Sequence, residues 1–369
     1  MVDVLPDRPR KGRGAVGNPT GRYETEVRAA TDDGWGNRWW ENDEAAVEGK
    51  APALATTLSA DTSRSVITRN TSPDIPFNQS VNPYRGCEHG CIYCFARPSH
   101  AWLGLSPGLD FETRLWAKFD APKLLQRELA NPKYRCQILA LGTNTDCYQP
   151  VERRHRLTRG ILEVLEASNH PVVMVTKSAL VLRDVDILSA MARRKLVQVY
   201  VSVTTLDTTL ARRMEPRAAA PGRRLKTIEG LARAGIPTGI MAAPMIPALN
   251  DAELDNILAA GARAGATSAG YILLRLPHEL KEMFSQWLGS HYPDKADHVL
   301  SLVRQSRGGR LNDPAFGSRM VGTGSYAAML AQRFKAACRR LELNMREGGM
   351  LDVSQFRPPS LPGEQLKLF

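Results

Sequence analysis

The stretch Asn82-Pro-Tyr-Arg-Gly-Cys87-Glu-His-Gly-Cys91-Ile-Tyr-Cys94-Phe-Ala-Arg97 gathers three of the chain's six cysteines into eight residues. The other three, Cys136, Cys147 and Cys338, are scattered. Clustering at C-x3-C-x2-C spacing marks a metal or cluster site rather than a disulfide framework. Three thiolates on a tight glycine-containing loop can take three corners of an iron–sulfur cubane, and thiolate is the ligand such clusters prefer. No fourth cysteine lies in the run, which leaves one iron open to an external ligand. Zinc is the alternative, but it takes four ligands and favours paired C-x2-C units, and there is no second pair. His89 would have to be the fourth ligand, from between two cysteines, with little freedom to turn inward.

Outward from this loop, short β-rich runs alternate with helical stretches. Phe77–Tyr84 leads into the cysteines, and Gln137–Gly142, Val172–Thr176, Val197–Val203, Pro237–Ala243 and Gly270–Leu276 follow. Between them Pro122–Ala130, Thr158–Ser168, Val185–Arg194, Arg223–Ala234 and Asp251–Ala264 read as helices closed by Gly, Asn or Lys. Six strands alternating with helices mean βαβ units and a parallel sheet. Near-continuous apolar strands agree, because strands covered on both faces need them. Six units over about 200 residues suit an α/β fold of the partial (β/α)6 TIM-like barrel type, whereas eight would close it. An open doubly wound sheet has the same periodicity.

The pattern divides the chain. Residues 1–76 form an N-terminal extension rich in Gly, Pro, Asp, Thr and Ser that leans to disorder, with Trp35, Trp39 and Trp40 to dock it on the body. Residues 77–280 are the core. Residues 281–354 form a helical C-terminal extension with helices at Asp294–Arg304 and Ser325–Leu343, the second carrying Arg333, Lys335, Arg339 and Arg340. Residues 355–369 hold prolines and a glycine and read as a flexible tail.

The 369 residues are 43% hydrophobic and 24% charged, ordinary for a soluble globular protein. No stretch approaches the roughly 18 uninterrupted apolar residues of a membrane span. The first residues lack the apolar core of a signal peptide, so a cytoplasmic location is expected. The net charge is +11, unevenly spread: residues 1–80 hold 10 basic and 12 acidic residues, leaving the body strongly basic. A basic body favours an anionic partner, and nucleic acid is the commonest.

C-x3-C-x-aromatic-C after a first strand, followed by repeated βα units, resembles the radical S-adenosylmethionine (SAM) superfamily. The words NPYRGCEHGCIYCFARPSH and GTNTDCYQPVER resemble its branch grouped with spore photoproduct lyase, a DNA repair enzyme, over residues 77–280. KGRGAVGNP and RSVITRNTSPDIPF extend the likeness to a subgroup of largely unassigned reaction. The resemblance implies a 4Fe–4S cluster on Cys87, Cys91 and Cys94, with SAM chelating the open iron through its amino and carboxylate groups. It implies reductive cleavage of SAM to a 5′-deoxyadenosyl radical that takes hydrogen from an unreactive C–H bond, with an electron donor such as flavodoxin or ferredoxin.

Ligands in such barrels sit at the C-terminal ends of the strands. Thr143, Asn144, Thr145 and Asp146 follow the second strand, where the superfamily recognises the methionine amino group; a polar turn capping the next helix is the other reading. Thr176 and Lys177 end the third strand, and Lys177 suits a carboxylate or phosphate. Ser202 and Thr204 end the fourth, within reach of ribose hydroxyls. Arg217 is a candidate bidentate clamp for the SAM carboxylate, and Tyr93 offers backbone groups to the adenine edge. Spore photoproduct lyase is understood to return hydrogen to a product radical from a cysteine. Cys147 is the candidate for that role, against a buried packing thiol, at a position where the branch tends to carry proline. Tyr148, Tyr271 and His278 are further rim candidates, and Cys136 and Cys338 read as structural.

The chain ends Gln365-Leu366-Lys367-Leu368-Phe369. This resembles the peptide by which bacterial repair and replication proteins dock on the sliding clamp. In that reading Gln365 orients the peptide while Leu366, Leu368 and Phe369 supply its apolar anchors; the alternative is a tail folded back on its own domain. The expected function is a radical SAM enzyme acting on nucleic acid in a lyase-like DNA repair reaction. The alternatives are a radical SAM enzyme modifying RNA or protein, and a non-catalytic iron–sulfur or zinc DNA-binding accessory.

Overall fold

The computed structural model describes residues 7–27, 54–345 and 351–360. Among them ten strands form: β1 (Thr57–Ala60), β2 (Ile67–Arg69), β3 (Gln79–Val81), β4 (Tyr84–Arg85), β5 (Arg114–Ala117), β6 (Leu139–Leu141), β7 (Val172–Thr176), β8 (Val197–Ser202), β9 (Thr238–Met245) and β10 (Ser268–Leu273). Six stand side by side in the order β3-β6-β7-β8-β9-β10, each parallel to the next, and β2 lies antiparallel on the β3 edge. This is the mixed α/β, partial-barrel fold expected from the alternation of apolar runs. A smaller sheet in the order β1-β5-β4 stands apart from it.

The sheet forms where the sequence is apolar on both faces. Val172, Met174, Val197, Val199 and Val201 are fully buried, as are Leu139 and Leu141 next to them. Each such side chain contributes about 1.5–3 kcal/mol by leaving water. The helices cover the sheet with the faces their periodicity sets aside. In Ala121–Leu129 the first turn holds Pro122, whose missing N–H costs nothing there, and Leu124, Leu125 and Leu129 are buried. In Leu157–Ala167 the buried stripe is Leu157, Thr158, Ile161, Leu162 and Leu165. Asp207 opens the helix Thr208–Met214 by accepting from the N–H groups of Thr209 and Leu210.

Three regions differ from the sequence reading. The helix Leu280–His291 precedes the one expected at Asp294, and it buries Leu280, Met283, Phe284, Trp287 and Leu288. These join a second apolar core that also contains Cys91, Ile92 and Tyr93 of the cysteine loop. Secondly, part of the N-terminal extension is drawn into the body, where Arg13, Ala15 and Val16 are buried. Trp35, Trp39 and Trp40 lie outside the described residues. Thirdly, residues 351–360 form a strap, so the described part of the expected tail, residues 355–360, is held against the body. Asp352 N donates to Lys195 O at 3.0 Å, Arg357 N to Ser168 O at 2.9 Å and Gln126 Nε2 to Ser360 O at 3.0 Å. The Phe356 ring packs against Tyr134 and His170, with centroids 5.6 and 5.3 Å away. Lys195 and Ser168 precede β8 and β7, so the strap crosses the N-terminal end of the sheet. No helix among the described residues is long and apolar enough to cross a membrane.

Burial lowers the imidazoles of His100 and His170 to about 4, against backbone hydrogen bonds to Arg114 and Pro171 and, for His100, the Asp110 carboxylate, which act in the other direction. An unfolded imidazole titrates near 6.5. Below that pH the unfolded chain binds protons the folded chain refuses, so stability falls as pH falls. Urea melts at pH 7 and pH 5 should differ by about 2 kcal/mol for each ring, and His170→Gln should remove part of that difference.

Candidate active site

Because six strands run parallel, the loops leaving their C-terminal ends share one edge. The cysteine loop follows β3 and β4 on that edge. It is a succession of tight turns: Gly90 N donates to Cys87 O and Cys94 N to Cys91 O. Gly90 has φ 67°, and a Cβ there would stand 2.6 Å from Glu112 Oε2, so only glycine fits.

A buried ion pair fixes the loop from behind. Arg97 donates through Nε to Cys91 O at 2.8 Å, through NH2 to Gly90 O at 2.9 Å and through NH1 to Pro107 O and Gly108 O. Its guanidinium pairs with Glu112, and both side chains are 0% exposed. The Glu112 carboxylate also accepts from Gly14 N at 3.0 Å and Ala15 N at 2.8 Å. A Cβ on Gly14 would sit 1.8 Å from Gly90 O, so the N-terminal segment lies directly against the cysteine loop. On the other side Gln149 accepts from Glu88 N at 2.8 Å and donates to Gly86 O at 3.1 Å.

The three thiols are free; Cys87 and Cys91 are buried and Cys94 is partly so. Burial pushes the Cys87 and Cys91 thiols up; neighbouring acids and thiols add to the shift, and at Cys91 the Lys177 ammonium opposes it. Positive iron at the loop would supply the charge that favours their thiolate forms. Among the described residues no three His, Cys, Asp or Glu groups converge on a single ion. A cubane spreads its ligands more widely than one ion does, so the all-thiol donor set fits a cluster.

The expected rim residues are brought to this edge, but many are already occupied. Asp146 Oδ1 accepts from Tyr148 N at 2.9 Å and Thr176 Oγ1 at 2.7 Å, and its Oδ2 accepts from Lys177 N at 2.7 Å. His89 Nδ1 lies 3.2 Å from Oδ2 without the alignment of a hydrogen bond. Despite its burial, Asp146 is held well below the usual carboxylate range by His89 and these donors. It joins the β6 and β7 loops and has little acceptor capacity left for an ammonium. Asn82 Oδ1 accepts from Asn144 N and Thr145 N, and Thr145 Oγ1 donates to Tyr84 O at 3.1 Å. Thr143, by contrast, has a half-buried hydroxyl with no hydrogen bond among the described residues. Ser202 is buried at the end of β8, 3.5 Å from Ala243 O. Arg217 meets Glu88 at 3.2 Å. Lys177 stands 5.7 Å from the Tyr93 ring centroid and forms no ion pair among the described residues.

Cys147 is fully buried in the larger apolar core, and burial raises its thiol well above the ordinary value. That is the placement of a packing thiol rather than a hydrogen donor at a cavity. Tyr148 is likewise buried, donating to Asp184 at 3.0 Å, and Tyr271 packs on Phe334. The sequence reading gave no role to the network behind Tyr93. The Tyr93 hydroxyl pairs with Glu215 and lies 3.1 Å from Thr204, whose hydroxyl donates to Glu215 at 2.6 Å. Arg224 closes a buried ion pair with Glu215. Nothing in periodicity marks Glu112, Glu215 or Arg224. The one available signal was the word KGRGAVGNP, whose Gly14 lies against the loop and whose Arg13 donates to Glu112 O behind it.

Residues 81–260 match the family model described as Radical SAM superfamily, and the chain belongs to that superfamily. Membership supports an enzyme and implies a 4Fe–4S cluster and SAM. A Mycobacterium tuberculosis protein described as uncharacterized is 38% identical over 233 residues, 63% of this chain and 68% of its own length. A Methanocaldococcus jannaschii protein, also described as uncharacterized, is 27% identical over 173 residues, 47% of this chain and 62% of its own. Among solved structures, spore photoproduct lyase complexed with dinucleoside spore photoproduct superposes with a TM-score of 0.56 over 79% of both chains at 16% identity. A variant of that lyase with bound AdoMet and the same dinucleoside gives a TM-score of 0.56 at 15% identity. At this identity the likeness is one of fold.

Glu112→Ala should destabilise the protein by about 3–5 kcal/mol, because it leaves the Arg97 charge buried and unpaired. Urea titration measures this, and Glu112→Gln, which keeps an acceptor oxygen, should lose less.

Proposed function

We propose that this chain is a radical SAM enzyme that carries a 4Fe–4S cluster on Cys87, Cys91 and Cys94 and acts on nucleic acid in a lyase-like DNA repair reaction. The observation that carries the reading is three free thiols gathered on one preformed loop at the C-terminal edge of a parallel sheet. When bound, the cluster supplies the electron for reductive cleavage of SAM. The chain's own residues bind and orient. Lys177, an unpaired cation beside Cys91, balances the SAM carboxylate. Thr143, with Asn144 and Thr145 on the same loop, meets the methionine amino group, and Ser202 reaches the ribose. Tyr93 is held rigid by Thr204 and Glu215 and forms one wall. Arg217 is a second cation on the same edge and has to leave or share Glu88 to bind an anion.

The basic body supports a nucleic-acid substrate, and so does the fold shared with a lyase solved with a dinucleoside. In this reading residues 77–280 are the catalytic core and 281–354 the extension that shares its second apolar core, in a cytoplasmic protein served by a flavodoxin- or ferredoxin-like donor. Gln365, Leu366, Leu368 and Phe369 lie outside the described residues; we assign them to docking on a sliding clamp.

The reading is tested by anaerobic incubation with reductant, isotopically labelled SAM and a panel of damaged and undamaged DNA and RNA. Label should move into one of the nucleic acids. Transfer into none of them, with SAM still cleaved, would redirect the reading to a protein substrate. Replacing any one of Cys87, Cys91 or Cys94 by Ala should abolish SAM cleavage and the cluster's visible absorbance, whereas Cys136→Ala should keep both. Wild-type cleavage by the Cys87→Ala protein would overturn the cluster assignment. Deleting residues 365–369 should abolish binding to the host clamp, of about micromolar affinity for a peptide that orders on binding, and leave SAM cleavage unchanged.

A further inference from the structure

Beside the cysteine loop lies a cavity of about 500 Å³, a size typical of ligand sites. It is lined by Arg275, His278, Lys281, Arg310, Asn312 and Arg319, and no carboxylate is among its walls. Arg275 follows β10 by two residues, so the cavity opens on the edge that carries the cysteine loop. The Arg275 guanidinium lies 5.6 Å from the centroid of the Phe95 ring, and Phe95 is the neighbour of Cys94.

Three of the four Arg and Lys side chains here are not consumed by the fold. Arg319 is held by Asp74, whose two oxygens meet its Nε and NH2. Arg275, Lys281 and Arg310 have no ion-pair partner among the described residues. The Nε of Arg275 is buried with no hydrogen-bond acceptor, and its NH1 reaches only the Met320 sulfur, at 3.4 Å. Burial, together with the nearby Arg319, pulls the Arg275 guanidinium below its ordinary value. Behind it Arg307 is tied to the carbonyls of Leu273, Leu274, Ser318 and Arg319, which fastens the cavity wall to the end of β10. A half-buried guanidinium with a free edge is a receptor for a planar or tetrahedral oxyanion.

Aromatic rings complete the pattern. Phe95 and Phe316 are 49% and 59% exposed, and each carries a guanidinium near its ring: Arg275 on Phe95, and Arg319 on Phe316 at 4.7 Å. Cations, Arg275 among the unpaired ones, beside exposed aromatic rings suit a nucleic-acid strand with unstacked bases, since the phosphates take the free charges and the bases take the rings. A phosphopeptide or free phosphate would use the cations but leave both rings without a role.

We infer that this cavity is the backbone-docking site for a single-stranded or locally opened nucleic-acid strand, with Arg275, Lys281 and Arg310 on consecutive phosphates and Phe95 and Phe316 beside the bases. The inference rests on the nucleic-acid reading above and adds the place and the strandedness. It is tested with the full-length protein by fluorescence anisotropy of a fluorescein-labelled 12-nucleotide single strand, as DNA and as RNA, over a series of salt concentrations. Lys281 and Arg310 are exposed, so the double variant Lys281→Glu/Arg310→Glu should keep the wild-type melting temperature. Its binding should weaken at least about tenfold near 0.1 M salt, and the slope of log K against log salt should fall by about 0.7 per lost phosphate contact. Arg275→Gln should weaken binding in the same direction. Unchanged affinity and slope in a double variant that melts like wild type would overturn the cavity assignment while leaving the nucleic-acid reading standing. Failure of the wild-type protein to bind either strand or a duplex control would overturn both.

Discussion

The structure depends on the ion pair between Arg97 and Glu112. Taking two charges out of water costs several kcal/mol for each, and their attraction offsets this only when the remaining hydrogen-bonding capacity is also used. Here that condition is met. Arg97 spends its other N–H groups on carbonyls of the cysteine loop and of the Pro107–Gly108 turn, and Glu112 spends its oxygens on Gly14 and Ala15. One buried pair thus joins three segments far apart in sequence. These contacts lie behind the cysteines and orient the loop that carries them, as groups behind metal ligands generally do for those ligands.

The same logic sorts the polar groups along the edge. Glu215 is matched by Arg224, Glu152 and Asp184 by Arg183, and Asp146 by Thr176, Lys177 and Tyr148. A group whose capacity is spent inside the protein binds a ligand only by giving up what holds the fold. What remains is therefore informative. Lys177 is left beside Cys91, the Thr143 hydroxyl is left on the loop after β6, and Arg275, Lys281 and Arg310 are left in the basic cavity. Acidic partners neutralise arginines in the interior, so the cationic excess of the body is carried by groups such as these.

How much of this was legible depended on the range of the interaction. Val172–Thr176 was read to its ends, because a strand buried on both faces writes a continuous apolar run. The six parallel strands followed from such runs, and the gathering of three cysteines on one loop from their spacing. The sheet of β1, β5 and β4 was not legible. Its strands are short and half-exposed, and β1 pairs with residues 57 positions away, from Thr57 to Arg114. The helix Leu280–His291 carried a readable stripe at 280, 283, 284, 287 and 288, and passing over it hid the link between the C-terminal region and the cysteine loop. Asp146 and Cys147 were placed on the correct loop, but which way each side chain is satisfied is a tertiary fact. Asp146 is engaged by a neighbouring strand, and Cys147 is buried in the core.

The strap at residues 351–360 sits at the end of the sheet away from the thiols. It crosses beneath β7 and β8, where Asp352 and Arg357 bond to the turns that precede those strands. The thiols, Lys177 and the basic cavity all lie at the opposite ends of the same strands. A partner that takes Gln365–Phe369 is held within about 18 Å of Ser360 by the reach of an extended chain. Ser360 itself is tied to Gln126 on the helix Ala121–Leu129. Under the clamp-docking proposal, a clamp held there would concentrate the protein on nucleic acid by tethering, and a tether that starts at Ser360 would leave the cysteine loop and the basic cavity, at the other end of the sheet, open to the proposed strand.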